Sequence, residues 1–198
     1  MRKKPLSNRE ESILLLLQKF DFLTRDQLNK YLRLGTIRNT NRVLNNLSNY
    51  LQCVRNGYQS IYYLNREGRI YVGCDKVRKK GGHIEHTVMR NDMWLYQGCP
   101  SDWKNEMKID NKKTSVIADA MFNKNGCSHF LEVDHLQTMK ENRTKVDRYK
   151  ELMPNIALQL GHYPVLVWMT TTELRRKQLS EACSGLPNVK IYTLDDIK

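Results

Sequence analysis

A two-part chain is expected, α+β in front and α/β behind, and three observations predict it. First, the charge is divided: residues 1 to 80 carry 17 Lys and Arg against 6 Asp and Glu, while residues 81 to 198 carry 16 against 15. Second, the first fifty residues contain three runs of helical periodicity, and an Asn-Gly turn between strand-prone segments follows them. Third, from Trp103 onward short apolar runs alternate with helical stretches, the pattern of a sheet with helices on its faces.

The elements follow in order. REESILLLLQKF, residues 9 to 20, reads as a first helix, with Glu10 and Glu11 near the positive end of its dipole. TRDQLNKYLRLG reads as a second: Thr24 caps it, Gln27 sits three residues on and Gly35 stops it. A third is expected from about Thr36 to Leu51, with Ile37, Val43, Leu44, Leu47, Tyr50 and Leu51 on one face. Asn56-Gly57 then joins Cys53-Val54 to Ile61-Tyr62-Tyr63-Leu64 in a hairpin, and NREGRIYVG follows as a short helix or turn. Three helices and a hairpin are the order of a winged helix-turn-helix, whose third helix reads the major groove of duplex DNA. The outward side of that helix would carry Arg38, Asn41, Arg42, Asn45 and Asn49. Arg bonds guanine edges and Asn bonds adenine edges. Arg55, Tyr58 and Gln59 fall at or near the hairpin tip, where a wing meets phosphates or the minor groove. The plainer alternative is that these Asn and Arg side chains only solvate a helix.

The basic, then flexible stretch KVRKKGGH puts a boundary near Lys80 to Gly82, separating a DNA-binding domain (1–80) from a second domain (83–198). That second domain opens with a helix, IEHTVMRNDMWLYQG, and continues with strands at 103 to 109, 115 to 122 and 128 to 135. A helix runs from about Thr138 to Met153, Pro154 and Pro164 bracket the next irregular or helical segment, VLVWMT forms a buried strand, and a helix ending at Gly185 precedes a last strand at 189 to 194. The order αβββαβαβ implies a mixed sheet.

Acids interrupt the apolar strands. Asp119 lies within SVIADAMF, and Glu132 and Asp134 share one face of SHFLEVDH. On neighbouring strands the three would converge at one edge of the sheet. Such hard oxygen ligands suit Mg²⁺ or Mn²⁺. The alternative is a solvated strand end paired with Lys145 and Arg148. Asp92 and Glu106 are further candidates for the cluster.

The spacing of Asp119, twelve residues, then Glu132-Val133-Asp134 on consecutive strands resembles the PD-(D/E)xK nuclease-like fold, which is restriction-endonuclease-like with an αβββαβ core. Nearly the full length resembles the replication-relaxation family of Gram-positive plasmids, phages and conjugative elements. The matching residues are the His86…Asn91-Asp92 helix, Glu106, Ile117-Ala118-Asp119-Ala120, Leu131-Glu132-Val133-Asp134 and Lys145…Arg148-Tyr149. The resemblance implies a winged helix joined to a nuclease-like domain, acting on DNA in replication or transfer. Members that cleave usually carry Lys two residues after the Glu, where Asp134 stands here. Lys145 or Lys140, on the following helix, would have to supply that charge.

Two functions stay open beside DNA binding in replication or transfer. One is a Mg²⁺- or Mn²⁺-dependent endonuclease or nickase with Asp119 and Glu132 as ligands and Lys145 as charge stabiliser. The other is a dimeric repressor of the element. Replication or relaxosome proteins are the expected partners. Other chemistry has little support. The five cysteines are widely spaced with no CxxC, which speaks against zinc and disulfides and fits a reducing cytoplasm. The five histidines show no HExxH spacing, and no glycine-rich phosphate loop is present. No apolar run reaches the length of a membrane span, and the basic opening lacks the apolar core of a signal peptide.

Overall fold

The computed structural model describes residues 5–78, 81 and 83–197. Of the expected linker, Lys79, Lys80 and Gly82 lie outside the described residues. The chain divides into two units, Met1–Asn91 and Asp92–Lys198.

In the first unit, helix α1 spans Asn8–Phe20 and α2 spans Arg25–Leu32. Both begin with capping boxes, Ser7 with Glu10 and Thr24 with Gln27, each satisfying two otherwise orphaned amides. Helix α3, Ile37–Asn46, is capped by Thr36 and ends earlier than its apolar pattern suggests. The Asn- and Ser-rich segment after Leu44 is poor helix-forming sequence. Leu51 is drawn instead into strand β2, where it pairs with Leu64. Strands β1 (Leu23–Thr24), β2 (Leu51–Asn56) and β3 (Gln59–Leu64) form an antiparallel sheet in the order β1-β3-β2. The short β1, beside β3, has too few residues to show period two in the sequence. Helix α4, Arg66–Val72, closes the hairpin side. Ile13, Leu14, Leu17 and Phe20 of α1 are buried, as are Leu28, Leu44, Leu47 and Ile61. Helix α5, Ile84–Tyr96, contributes Ile84 and Val88 to a cluster with Phe22, Val54, Ile61 and Tyr63. The fully buried Asn91 amide donates to the carbonyls of Phe20 (3.1 Å) and Phe22 (2.7 Å), which the turn after α1 leaves without helical partners.

The second unit is built on a five-stranded mixed sheet of order β4-β5-β6-β7-β8. Its strands are β4 (Lys104–Asp110), β5 (Ser115–Lys124), β6 (Cys127–Asp134), β7 (Val165–Thr170) and β8 (Val189–Thr193). The first three are antiparallel, and β6-β7 and β7-β8 are parallel. The parallel pairs are made through helices α6 (Met139–Leu160) and α7 (Glu173–Ala182), as crossover connections require. Val146, Tyr149, Leu152 and Met153 of α6 pack with Leu179 and Cys183 against Phe130, Leu166 and Trp168. Helix α6 runs through Pro154 rather than stopping before it. Pro154 and Lys150 are both exposed, so the carbonyl that loses its helical donor lies on the side water can reach. Among the described residues no helix is long and apolar enough to cross a membrane.

Gly68 is where α4 touches the segment after α3. A Cβ placed there would lie 2.2 Å from the Tyr50 carbonyl oxygen, which already accepts from Asn65 N at 3.0 Å. Gly68→Ala is expected to destabilise the chain by about 1–3 kcal/mol through overpacking, read as a lower urea midpoint.

Candidate functional site

The sequence points to two sets of residues, one in each unit. In the first unit, α3 buries Thr40, Val43 and Leu44 and leaves Arg38, Arg42 and Asn45 exposed, with Asn41 half-buried. The helix contains no carboxylate. Arg38 and Arg42, four residues apart, share one face. Arg42 is braced: its Nη2 donates to Asn39 Oδ1 at 2.8 Å, and Asn39 Nδ2 donates to the Leu34 carbonyl at 2.6 Å. Asn49 lies beyond the end of α3, in the turn before β2, where its carbonyl accepts from Asn65 Nδ2 at 3.0 Å. It therefore does not continue the helical row. Arg55 is exposed on β2, and Tyr58 stands fully exposed (106%) on the two-residue turn after Asn56. Gly57 takes a positive φ of 55° there, a conformation glycine adopts without a Cβ penalty.

In the second unit, the acids lie on β5 and β6, inside the sheet rather than at its edge. Ala120 pairs with Leu131, so Asp119 faces Glu132 one step along the ladder. Asp119 Oδ2 accepts from Val133 N at 2.7 Å. Glu132 and Asp134 are not a solvated strand end: they are 1% and 0% exposed. Glu132 is held from α6, through an ion pair with Lys145 Nζ and a 2.6 Å hydrogen bond from the Tyr149 hydroxyl. Lys145 thus reaches the strand from its second helical turn. Burial, and next the Asp119 charge, raise Glu132 well above the usual carboxylate range, with Lys145 and Tyr149 opposing. Burial and then Glu132 push the Tyr149 hydroxyl up as well, so it remains a donor.

Asp134 has different partners. Arg175 of α7 grips both of its oxygens, with Nε on Oδ2 at 2.8 Å and Nη2 on Oδ1. Asn142 Nδ2 donates to Oδ1 at 2.8 Å and Thr170 Oγ1 to Oδ2 at 2.7 Å. Burial alone would raise this carboxyl, but Arg175, Asn142 and Thr170 together hold it below its ordinary value. Both oxygens are therefore committed inside the protein. Among the described residues no group of three or more His, Cys, Asp or Glu is arranged to hold a metal ion. Asp119 and Glu132 face each other across neighbouring strands, with both Glu132 oxygens bonded from α6, while Asp134 points to Arg175 instead.

Arg175, Asn142 and Thr170 were not visible as site residues in the sequence. The signal was present only as the second acid of Glu-x-Asp, which needs a cation once its strand is buried, and forty residues of chain separate that cation from it. Arg148, exposed on α6, lines a groove with Lys140, Lys145 and Ile117.

The replication-relaxation family profile matches residues 14–165. No curated protein matches the chain. Protein VC1899 from Vibrio cholerae is similar in structure, with 14% identity and a TM-score of 0.42, over 98% of this chain and 55% of that one. So is Can2 from Sulfobacillus thermosulfidooxidans, solved with cyclic tetra-adenylate, with 12% identity and a TM-score of 0.37, over 96% and 53%. The chain spans about half the length of either.

Removing the guanidinium leaves Asp134 buried without its counter-charge. Arg175→Ala is expected to cost about 3–5 kcal/mol at neutral pH in chemical denaturation. Because the folded-state value of Asp134 is depressed, its stabilisation is present above the unfolded carboxyl range and is lost as pH falls through the folded value. The gap between wild type and variant should therefore narrow below about pH 4.

Proposed function

The chain belongs to the replication-relaxation family, and on that premise we propose that it is a DNA-binding protein of a mobile genetic element. It acts in plasmid or phage replication or in DNA transfer, in the cytoplasm of a Gram-positive host, beside other replication or relaxosome proteins. The first unit works as a winged helix on duplex DNA. The second serves as a nuclease-like domain.

The observation that carries this reading is the outer face of α3. Arg38, Arg42 and Asn45 are exposed in steps of three and four residues, on a helix with no carboxylate. Its N-terminus is capped by Thr36 and carries no acid in its first turn, so the helix dipole favours an approaching phosphate. Arg side chains suit guanine edges and Asn side chains adenine edges, and the held Arg42 loses less freedom on docking. Arg55 and Tyr58 reach the flanking backbone or minor groove from the hairpin.

Binding of this kind releases counterions, so affinity falls steeply with salt, with a slope of about −0.9 per neutralised phosphate. Arg38→Ala and Arg42→Ala are each expected to weaken duplex binding. Loss of a base contact relaxes sequence preference at one position, whereas loss of a phosphate contact lowers the salt slope by about 1. Fluorescence anisotropy on a labelled duplex at several salt concentrations reads both. Wild-type affinity and slope in the two variants would remove α3 from the groove.

A second reading, a Mg²⁺- or Mn²⁺-dependent endonuclease or nickase, is favoured by one observation: Lys145 reaches Glu132, the carboxylate that faces Asp119. A cation held by Asp119 and Glu132 would supply charge and an activated water at a phosphodiester. In that role Lys145 offsets the charge developing on the phosphate, the task usually given to a lysine two residues after the glutamate. Supercoiled plasmid with protein and Mn²⁺ should then become nicked, and Asp119→Asn or Glu132→Gln should abolish the nicking. Intact plasmid at high wild-type concentration dismisses the enzyme and leaves the binding function standing.

A further inference from the structure

The face of the mixed sheet turned away from Glu132 carries a separate cluster. Alternation along β6 puts His129 on the side opposite Phe130 and Glu132. Around it lie Lys124 at the end of β5, Lys190 and Tyr192 on β8, and Tyr96 and Gln97 at the end of α5. They line a cavity of about 350 Å³, and no carboxylate is among its lining residues. That volume is at the lower end of ligand-sized pockets, roughly 300–1,000 Å³.

We infer that this cavity is an anion-binding site for the phosphate group of a nucleotide, with Lys124 and Lys190 supplying positive charge, His129 a further donor once protonated, and Tyr96 and Tyr192 an aromatic wall. Two lysines with no acid between them repel one another and disfavour the charged form of His129, and a phosphate relieves both effects. The cluster is also pre-arranged. Gln97 Oε1 accepts from Lys124 Nζ at 2.8 Å, and Gln97 is hydrogen-bonded to Tyr192 too. The rings of Tyr96 and Tyr192 meet edge to face with centroids 5.4 Å apart, leaving π surface beside the cations. His129 stacks on Phe122 at 4.9 Å and places Nδ1 2.9 Å from the Cys127 carbonyl, so Nδ1 carries the proton. Its other nitrogen becomes a donor only when the ring is charged.

The arrangement has a pH signature. Burial, then Lys190 and Lys124, hold His129 below its ordinary value, against the Cys127 carbonyl. Among the described residues lining the cavity the other titratable groups are Tyr96 and Tyr192; burial, and to a smaller extent Tyr96 and Asp196, raise Tyr192, so it stays a neutral donor. A bound phosphate offsets both lysines and draws the His129 value upward. By linkage, affinity should then rise as pH falls.

A free nucleotide and a single DNA strand offer the same phosphate chemistry, so both are probes. The full chain is titrated by calorimetry at low salt with a nucleoside monophosphate, with inorganic phosphate and with a short oligothymidylate, while NMR follows His129. The expected result is saturable binding of the monophosphate or the oligonucleotide, an upward shift of the His129 titration, and about tenfold weaker binding in Lys124→Gln/Lys190→Gln. Both lysines are exposed, so that variant should keep the wild-type melting temperature and its duplex binding through α3. Monophosphate binding without oligonucleotide binding identifies a free nucleotide as ligand, and the reverse identifies a strand. Absence of binding by every probe, or equal binding by the double variant, overturns the site.

Discussion

Glu132 and Asp134 stand two residues apart on the central strand of the second unit, both removed from water, and the elements around them are arranged by what each carboxylate needs. Moving an ion out of water costs several kcal/mol even after the protein relaxes. The chain answers twice and from different directions. Lys145 and Tyr149 come from α6 to Glu132, while Asn142 of α6, Arg175 of α7 and Thr170 of β7 come to Asp134. Arg175 Nη2 also donates to the Gln137 carbonyl at 2.6 Å, fixing the loop that leaves β6. These directional bonds specify how both helices sit on the sheet in a way the apolar contacts of Val146, Leu152 and Leu179 do not, because dispersion tolerates sliding. The same division separates the two acids chemically. Asp134 is locked by a bidentate guanidinium, and Glu132 keeps a partner, Lys145, that remains partly exposed beside an open groove.

The first unit solves a smaller problem of the same kind. Asp21 follows α1 with a φ of 70°, an uncommon backbone for a residue with a side chain. Its nearly buried carboxylate is met by Arg78, by Lys76 at 3.5 Å and by Arg90 at 3.6 Å. Part of the strong positive charge of residues 1 to 80 is thus spent on internal pairing, and the outward remainder on α3 and the hairpin is what a polyanion would meet.

Much of the fold was legible because its signals are local. The Thr24 and Gln27 capping box, the Asn-Gly hairpin and the strands at 115 and 128 each depend on neighbours in sequence. The errors share a cause as well. Helix α3 stops short because Leu51 gains more from pairing with Leu64 than from another helical turn, and that partner lies thirteen residues ahead. Helix α6 passes Pro154 because buried Leu152 and Met153 anchor the preceding turn, a tertiary fact that outweighs proline's propensity. The acids of the site were found from spacing alone. Lys145 lies close enough in sequence to suggest itself as a partner, whereas Arg175 is joined to Asp134 through a crossover connection. The reading of Asp134 as a metal ligand rested on its residue type and strand position, and Arg175 is the contact that such a reading has no means of supplying.

The proline within α6 divides that helix mechanically. All of its buried side chains lie at or before Met153, while Leu158 is 84% exposed. The backbone ladder is broken at the same place. The last two turns, up to Gly161, are held to the core chiefly by the half-buried Ile156, so amide protons beyond Pro154 should exchange more readily than those around Tyr149, which are released only when the whole unit unfolds.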